Sequence, residues 1–169
     1  RGDLVRALVR TPAKAGALQA LGCELVPGDL SDEEALVEAC RGMDAVIHAA
    51  ALYEVGVPAS ERSTMVDVNV RGTERVLGAA LSAGVRRAVY VSTVAVFGNT
   101  HGAVADELWE RPQPERFTSV YEETKVLAHR RAQEIAAQGL PLVVVQPGVV
   151  YGPGDSSTIG QLLTQFLDG

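Results

Sequence analysis

Short apolar runs alternate along the whole chain with longer segments in which apolar residues recur every three or four positions. The apolar runs predict five strands, at residues 4–9, 23–26, 45–47, 88–92 and 142–145. The segments between them predict helices of about ten residues or more. Strands that alternate with helices are typical of βαβ units, so we expect a parallel sheet covered by helices on both faces.

Capping residues mark where several of these helices begin and end. Ser31 with Glu34, and Ser119 with Glu122, have the spacing of a capping box, so we expect a helix behind each serine. A long helix is predicted from about residue 61 to 83, and the last helix from near Ser156. Three glycines are expected to end helices, namely Gly22, Gly84 and Gly139. Residues 93–117 are predicted to be mostly loop, and loops of this length are often functional.

The unusual segments of the chain all follow predicted strands. They are Arg10, Asp29, 48–51, 92–93 and 146–154. Open parallel sheets bind ligands at the carboxyl ends of their strands, so we expect the functional site at this edge.

The segment Tyr-Glu-Glu-Thr-Lys, residues 121–125, carries the most specific chemistry. On a helix Tyr121 and Lys125 lie one turn apart on the same face. A neighbouring ammonium is expected to lower the pKa of the phenol from about 10, which would let the tyrosine exchange a proton with a substrate. The alternative for this segment alone is a solvated helix face.

Composition limits the remaining possibilities. A chain of 169 residues is long enough for one domain with a core, and we treat residues 1–169 as a single domain. The net charge of −6 and the lack of dense basic runs argue against a nucleic-acid binder. Cys23 and Cys40 have no metal-ligand spacing, so we predict buried free thiols and no metal site. No apolar run is long enough to span a membrane.

Seven short motifs occur in a fixed order over most of the chain. They are VRALVR (5–10), GDL (28–30), VIHAAA (46–51), NVRGT (69–73), YVSTVAVFG (90–98), YEETK (121–125) and QPGVVYGPG (146–154). Together they resemble the extended short-chain dehydrogenases/reductases, in the NAD(P)-dependent epimerase/dehydratase and dihydroflavonol-reductase-like group. The resemblance implies a Rossmann-like doubly wound parallel sheet with a nicotinamide cofactor.

The resemblance also implies a catalytic set of Thr93, Tyr121 and Lys125. Thr93 would orient the substrate oxygen toward Tyr121, the acid/base, while Lys125 would hold the nicotinamide ribose. For Thr93 the alternative is a simple strand end. Asn69 matches a family asparagine that steadies backbone or a water chain. His48 is expected to be structural.

Further residues would bind the cofactor. They are Asp29 and Leu30 near the adenine, Ala49, Ala50 and Ala51 along the backbone path, and Pro147, Gly148, Val149 and Val150 under the nicotinamide, with Tyr121 and Lys125. Asp29 could instead form a turn ahead of Ser31. The family usually has Arg where this chain has Gln146, which questions any ion pair there but not the backbone contacts.

Arg10 bears on the choice of cofactor. It stands where an Asp or Glu would bind the ribose 2′-hydroxyl of NAD, and an Arg can instead pair with the 2′-phosphate of NADP. NADP is therefore favoured over NAD. The alternative is a solvated arginine at the end of a strand.

The family's glycine-rich turn and the strand before it are absent from this sequence. In the family that strand lies between the strands at 4–9 and 45–47. We therefore interpret the chain as an internal piece, truncated at both ends, with an incomplete sheet. Tyr53, Trp109 and Phe117 are expected on the substrate side.

Two functions follow from the resemblance. The first is hydride transfer at a secondary alcohol or ketone, in a reductase or an epimerase, with a sugar-nucleotide, flavonoid-like or sterol-like substrate. The second is a non-catalytic NAD(P)-binding regulator on the same fold. Val94 and Ala95 stand where dehydratases have Asp-Glu, which favours reduction or epimerisation over dehydration. A cytoplasmic location and a homodimer are expected by analogy, with no nucleic-acid or membrane partner.

Overall fold

The computed structural model describes residues 2–53, 57–152, 155 and 158–168. Within these residues there are five strands: β1 (Arg6–Val9), β2 (Glu24–Pro27), β3 (Ala45–His48), β4 (Arg87–Val91) and β5 (Leu142–Val145). The helices are α1 (Gly16–Ala20), α2 (Glu33–Cys40), α3 (Arg62–Val66), α4 (Gly72–Ser82), α5 (Val120–Ala137) and α6 (Thr158–Asp168). The five predicted strands are confirmed to within two residues at each end.

All strand pairs are parallel, as the alternation of strands and helices predicted. β1 pairs with β2, with Arg6 opposite Glu24, and β3, β4 and β5 form a separate sheet in that order. Within the described residues β1 and β3 do not pair with each other. This break lies where the family resemblance places the absent strand, between β1 and β3. The fold is a mixed α/β, Rossmann-like one.

The core lies between one face of the larger sheet and helices α4 and α5. Small side chains dominate the helices there, so the helix backbones approach each other and the sheet closely. The buried cluster includes Leu36, Val76, Leu77, Ala80, Ala88, Tyr90, Ala128, Ala132 and Ile135, with Leu8 of β1 packed against it. α2 therefore ties the smaller sheet to the same core.

The opposite face of the larger sheet is exposed. Ile47 of β3 is 72% exposed and Val143 of β5 is 51% exposed. Strands buried on both faces read as nearly continuous apolar runs, and these strands have that pattern. Among the described residues, helices cover the α4–α5 face of the larger sheet and not the opposite face. The expectation of helices on both faces is therefore met on one face only.

Two helix starts differ in detail from the capping boxes predicted. α2 is capped by Asp32, whose carboxylate accepts a 3.0 Å hydrogen bond from the Ala35 amide, and not by Ser31. The Ser31 hydroxyl instead donates to Asp29, so the prediction for this helix was wrong by one residue. α5 is capped by Ser119 as predicted, with the Glu122 amide donating to its hydroxyl at 3.1 Å. However, the Glu122 carboxylate accepts from the Thr118 amide.

Irregular turns interrupt two other predicted helices. The segment after Thr11 forms a 3₁₀ turn, Pro12–Lys14, before the short α1. The predicted long helix contains a π-helical turn, Asp67–Arg71, between α3 and α4. Such turns occur often at functional sites, and this one contains Asn69. The predicted start of α6 near Ser156 lies outside the described residues, whereas Gly22, Gly84 and Gly139 follow helix ends with positive φ as expected.

No described helix is long and apolar enough to cross a membrane. In the same residues, no group of three or more His, Cys, Asp and Glu side chains could hold a metal ion.

Candidate active site

Thr93 and Tyr121 come together at the carboxyl edge of the larger sheet. Thr93 follows β4 in extended backbone and caps the 3₁₀ turn Val94–Phe97. Tyr121 lies in the first turn of α5, and the Thr93 side chain is close enough to its phenol to act on the pKa of Tyr121. The fold thus brings together two residues that are 28 positions apart in sequence.

Lys125, one helical turn beyond Tyr121, points into the core. Its side chain is almost fully buried, with 2% of the residue exposed. The ammonium donates to the Val91 carbonyl at 3.1 Å and lies 5.0 Å from the centre of the Tyr90 ring. Burial lowers the pKa of Lys125 to about 8. A solvated helix face is therefore excluded for this lysine.

The phenol of Tyr121 does not have the lowered pKa that the sequence pattern predicted. Its pKa is raised, chiefly because burial penalises the phenolate, and the Tyr53 phenol adds to the rise. The nearby Thr93 side chain acts in the opposite direction, and Lys125 has no part in the shift of this pKa. The prediction that Lys125 lowers this pKa is therefore wrong for the described structure, because the ammonium is turned toward Val91.

Asn69 acts on the backbone beside the site. Its side-chain amide accepts from the Leu52 amide at 2.7 Å and donates to the Leu52 carbonyl at 3.0 Å. The same amide nitrogen donates to Thr124 on α5 at 3.0 Å. Asn69 is buried, so these bonds hold the segment after β3 against the helix of Tyr121. Of the two roles considered for Asn69, steadying backbone or steadying a water chain, these contacts correspond to the first.

His48 is also structural, as expected. It is buried, and its Nε2 lies 2.9 Å from the Thr73 hydroxyl, which donates to the Asn69 carbonyl. Burial, with a contribution from the charge of Lys125, lowers the pKa of His48 to about 4. The imidazole is therefore neutral at pH 7 and serves as a hydrogen-bonding partner within the core.

A second group of candidate residues lines a cavity of about 360 Å³ between the carboxyl ends of β1 and β2 and the segment after β3. Five residues predicted from sequence lie there, namely Arg10, Asp29, Leu30, Ala50 and Ala51. Gly28 also lines it, with φ at +153°, and a Cβ at this position would overlap Ala35. The volume of this cavity lies within the range of small-ligand pockets.

Asp29 has a turn role in addition to its place in this cavity. Its Oδ1 accepts from the Ser31 amide at 2.7 Å and from the Ser31 hydroxyl at 2.5 Å. These bonds lower the pKa of the carboxyl, and the charges of Arg10 and Arg75 add to the effect although burial opposes it. The turn alternative for Asp29 is therefore present, and it leaves the carboxylate ionised beside Arg10.

The last predicted cofactor segment approaches the site through its backbone. The Val94 amide donates to the Pro147 carbonyl at 3.1 Å, which places this proline beside Thr93. Val149 and Val150 are largely exposed. Gly148 lies near Val94: a Cβ added to Gly148 would be 4.0 Å from the Val94 side chain. Ala49 is exposed and does not line the cavity that contains Arg10.

Two further features lie near Tyr121. The ring of Tyr53, which is expected from the sequence on the substrate side, meets the Tyr121 ring edge-on, with centroids 4.8 Å apart. Arg111 and Glu122 form an ion pair of 2.6 Å with both side chains buried. The long loop 93–117 gave no reason to single out Arg111, because its partners are distant in sequence. A cavity of about 760 Å³ is lined by Tyr121, Arg111 and Thr118.

Comparison with known proteins identifies the family of the chain. Residues 2–169 match the family described as the NAD dependent epimerase/dehydratase family. The chain belongs to this family.

Relatives of this epimerase/dehydratase chain have named activities. It is 38% identical over 96% of its length to the 4-hydroxy-2-methyl-3-oxo-4-farnesyl-3,4-dihydroquinoline-1-oxide ketoreductase of Stigmatella aurantiaca, covering 48% of that protein. It is 34% identical over its whole length to a 3 beta-hydroxysteroid dehydrogenase/Delta 5-->4-isomerase of Mycobacterium tuberculosis, covering 46% of it. The chain thus spans about half the length of these relatives.

A solved structure supports the fold as well. The dTDP-glucose 4,6-dehydratase DesIV of Streptomyces venezuelae, a double mutant with NAD and DAU bound, superimposes with a TM-score of 0.82 and 28% identity. The match covers 99% of this chain and 54% of DesIV. Rossmann-like neighbours of this kind confirm the predicted fold class, and the extended short-chain dehydrogenase/reductase resemblance is confirmed by the family match.

Proposed function

We propose that the protein transfers hydride between a nicotinamide cofactor and a secondary alcohol or ketone, with Thr93, Tyr121 and Lys125 as the catalytic set. The observation that carries the proposal is the proximity of Thr93, at the end of β4, to the Tyr121 phenol, which lines a large cavity together with Ala95 of the turn after Thr93. The alternative, a cofactor-binding regulator, needs no such pair.

The burial of Tyr121 suits proton donation. Because its pKa is raised, the phenol stays protonated at neutral pH and can protonate the oxygen of a ketone as that oxygen gains negative charge. Thr93 would donate a second hydrogen bond to the same oxygen and orient it. When bound, the nicotinamide would supply the hydride to the carbonyl carbon.

The residues around the smaller cavity fit an adenine nucleotide. Arg10 offers a guanidinium to a phosphate, Asp29 an ionised acceptor, and Ala50 and Ala51 a wall of small side chains against which a planar base can lie. Pro147 and the segment after it would lie near the nicotinamide, since their backbone is bonded beside Thr93. Lys125, which now bonds the Val91 carbonyl, would reach the ribose from the helix side.

The test uses the complete gene product that carries this chain. It is incubated with NADPH and a panel of ketones, and with NADP⁺ and a panel of secondary alcohols that includes a 3β-hydroxysteroid, and the nicotinamide absorbance is followed. Turnover of at least one member that disappears in the Thr93→Ala and Tyr121→Phe variants supports the proposal. Tight cofactor binding with no turnover of any member would favour the regulator instead.

Arg10→Asp should shift the cofactor preference from NADP toward NAD. Arg10 lines the cavity as a partner for a 2′-phosphate, whereas an aspartate there repels the phosphate and accepts from a 2′-hydroxyl. We expect the ratio of kcat/KM for NADPH to that for NADH to fall by at least about tenfold, since one charge-assisted bond is worth about 1.5–3 kcal/mol.

Arg10→Lys is the matched variant, because it keeps the charge and loses the bidentate geometry, and its ratio should lie between the other two. A parent enzyme that already prefers NADH, or a ratio unchanged in Arg10→Asp, contradicts the assignment of Arg10.

A further inference from the structure

The arginine in the long loop between β4 and α5 makes an unusual number of contacts. The Arg111 guanidinium donates to the carbonyls of Ala95 at 3.2 Å and Val96 at 3.1 Å, and to that of Arg116 at 2.8 Å. It also donates to the Glu122 carboxylate at 2.6 Å. One side chain thus holds two carbonyls of the turn that follows Thr93, its own loop, and the first turn of α5.

The surroundings of Arg111 are shaped around the guanidinium. The Phe117 ring lies 5.0 Å from its central carbon. Gly98, with φ at +70°, lies so close that a Cβ there would be 3.0 Å from the same carbon. A larger residue at that position would displace the arginine. The side chains of Arg111 and Glu122 are only 8% and 9% exposed, so water does not replace these bonds.

Glu122 is held as firmly from its other side. Its second carboxylate oxygen accepts from the Thr118 amide and hydroxyl, both at 2.6 Å. Burial alone would raise the pKa of Glu122, but the bonds from Thr118 and Arg111 outweigh it and the pKa is lowered. The pair is therefore ionised at neutral pH, and each charge has its hydrogen bonds satisfied.

The positions of these contacts relate them to the proposed chemistry. Ala95 and Val96 belong to the turn that Thr93 caps, and the Ala95 amide donates to the Thr93 hydroxyl at 3.3 Å. Glu122 is the residue next to Tyr121 on α5. The two elements that carry Thr93 and Tyr121 are therefore joined through Arg111.

We propose that Arg111 is a positioning residue, which through Glu122 and the Val94–Phe97 turn sets the distance between the hydroxyls of Thr93 and Tyr121. This inference rests on the proposed function, because only a reaction that uses both hydroxyls makes their separation matter. Arg111 itself touches no reacting atom. Its effect on turnover passes through Thr93.

A double-mutant cycle on kcat tests this route. Arg111→Lys keeps the charge, but a single ammonium cannot reach two turn carbonyls and the carboxylate together. We expect kcat to fall about tenfold or more with cofactor Kd changed by less than about threefold, because a small misplacement of reacting groups can cost up to about a hundredfold. In a Thr93→Ala background the same change should alter kcat by less than about twofold.

The matched control is Arg62→Lys. Arg62 pairs at 2.5 Å with Glu123, the next residue on α5, but its side chain is 48% exposed. This variant should leave kcat within about twofold of the wild type. Additive losses for Arg111→Lys and Thr93→Ala, or equal effects of Arg62→Lys and Arg111→Lys, overturn the inference. The proposed function fails separately if Thr93→Ala and Tyr121→Phe both retain activity.

Two further measurements test the same positioning role of Arg111. If Arg111→Lys does not fold, Glu122→Gln loosens the same link from the helix side, and its fall in kcat should likewise vanish in the Thr93→Ala background. Without any substrate, crystal structures should show the Thr93–Tyr121 hydroxyl separation lengthened in Arg111→Lys and unchanged in Arg62→Lys. An unchanged separation in Arg111→Lys overturns the inference directly.

Discussion

The Tyr121→Phe variant of the complete gene product should lose turnover by about 10²–10⁴-fold, while its cofactor Kd stays within a few-fold of the wild type. The Tyr121 hydroxyl, whose pKa the nearby Thr93 side chain affects, is the proposed proton donor, and it is the only group removed. The ring, which meets Tyr53 edge-on, keeps its packing. Activity is measured as nicotinamide absorbance, and cofactor affinity by fluorescence titration.

Retention of more than about a tenth of wild-type activity would remove Tyr121 from the role of acid/base. Thr93→Ser serves as the matched variant, because it keeps a hydroxyl beside Tyr121. It should retain most of the turnover, whereas Thr93→Ala should not. Thermal unfolding of each variant checks that a lost activity is not a lost fold.

The Lys125→Met variant should lose turnover and also change how stability depends on pH. Burial lowers the pKa of Lys125 to about 8, against 10.5 in an unfolded chain. Between these two values the unfolded chain holds a proton that the folded chain has released, so wild-type stability rises with pH across that window. At about 1.36 kcal/mol per pH unit, the rise amounts to about 3 kcal/mol.

The methionine variant has no such group, so its stability relative to wild type should be most favourable below pH 8 and decline by about 3 kcal/mol toward pH 10.5. Denaturant unfolding at a series of pH values measures this difference. A constant offset from the lost bond to the Val91 carbonyl does not affect the slope. Lys14→Met is the matched control, because Lys14 is exposed and should give no such slope. A flat difference for Lys125→Met would mean that the ammonium is not buried.

Local pattern was sufficient for the elements of the fold and for the spacing of the candidate residues. Apolar runs located the five strands, and Ser119 marked the start of α5 because its hydroxyl can cap only the helix that begins beside it. The i, i+4 spacing put Tyr121 and Lys125 on one helix. These features depend on residues a few positions apart, which a sequence displays directly.

The order of the motifs also predicted where the site lies, because the carboxyl ends of parallel strands share one edge of the sheet. It brought Arg10, Asp29 and Ala51 to one cavity correctly. The predicted N-cap was wrong where two capping candidates were adjacent. Asp32 and not Ser31 caps α2, because the Ser31 hydroxyl donates its hydrogen bond to Asp29.

Only the tertiary structure decided the environment of each group. The ammonium of Lys125 turns to the Val91 carbonyl of a strand 34 residues earlier, so it does not lower the pKa of Tyr121, which burial raises instead. The bond between Arg111 and Glu122 likewise depends on a loop folding back on its own helix. Burial and long-range partners are set by how the elements pack, whereas the sequence by itself determined which elements form and which residues they carry to the edge of the sheet.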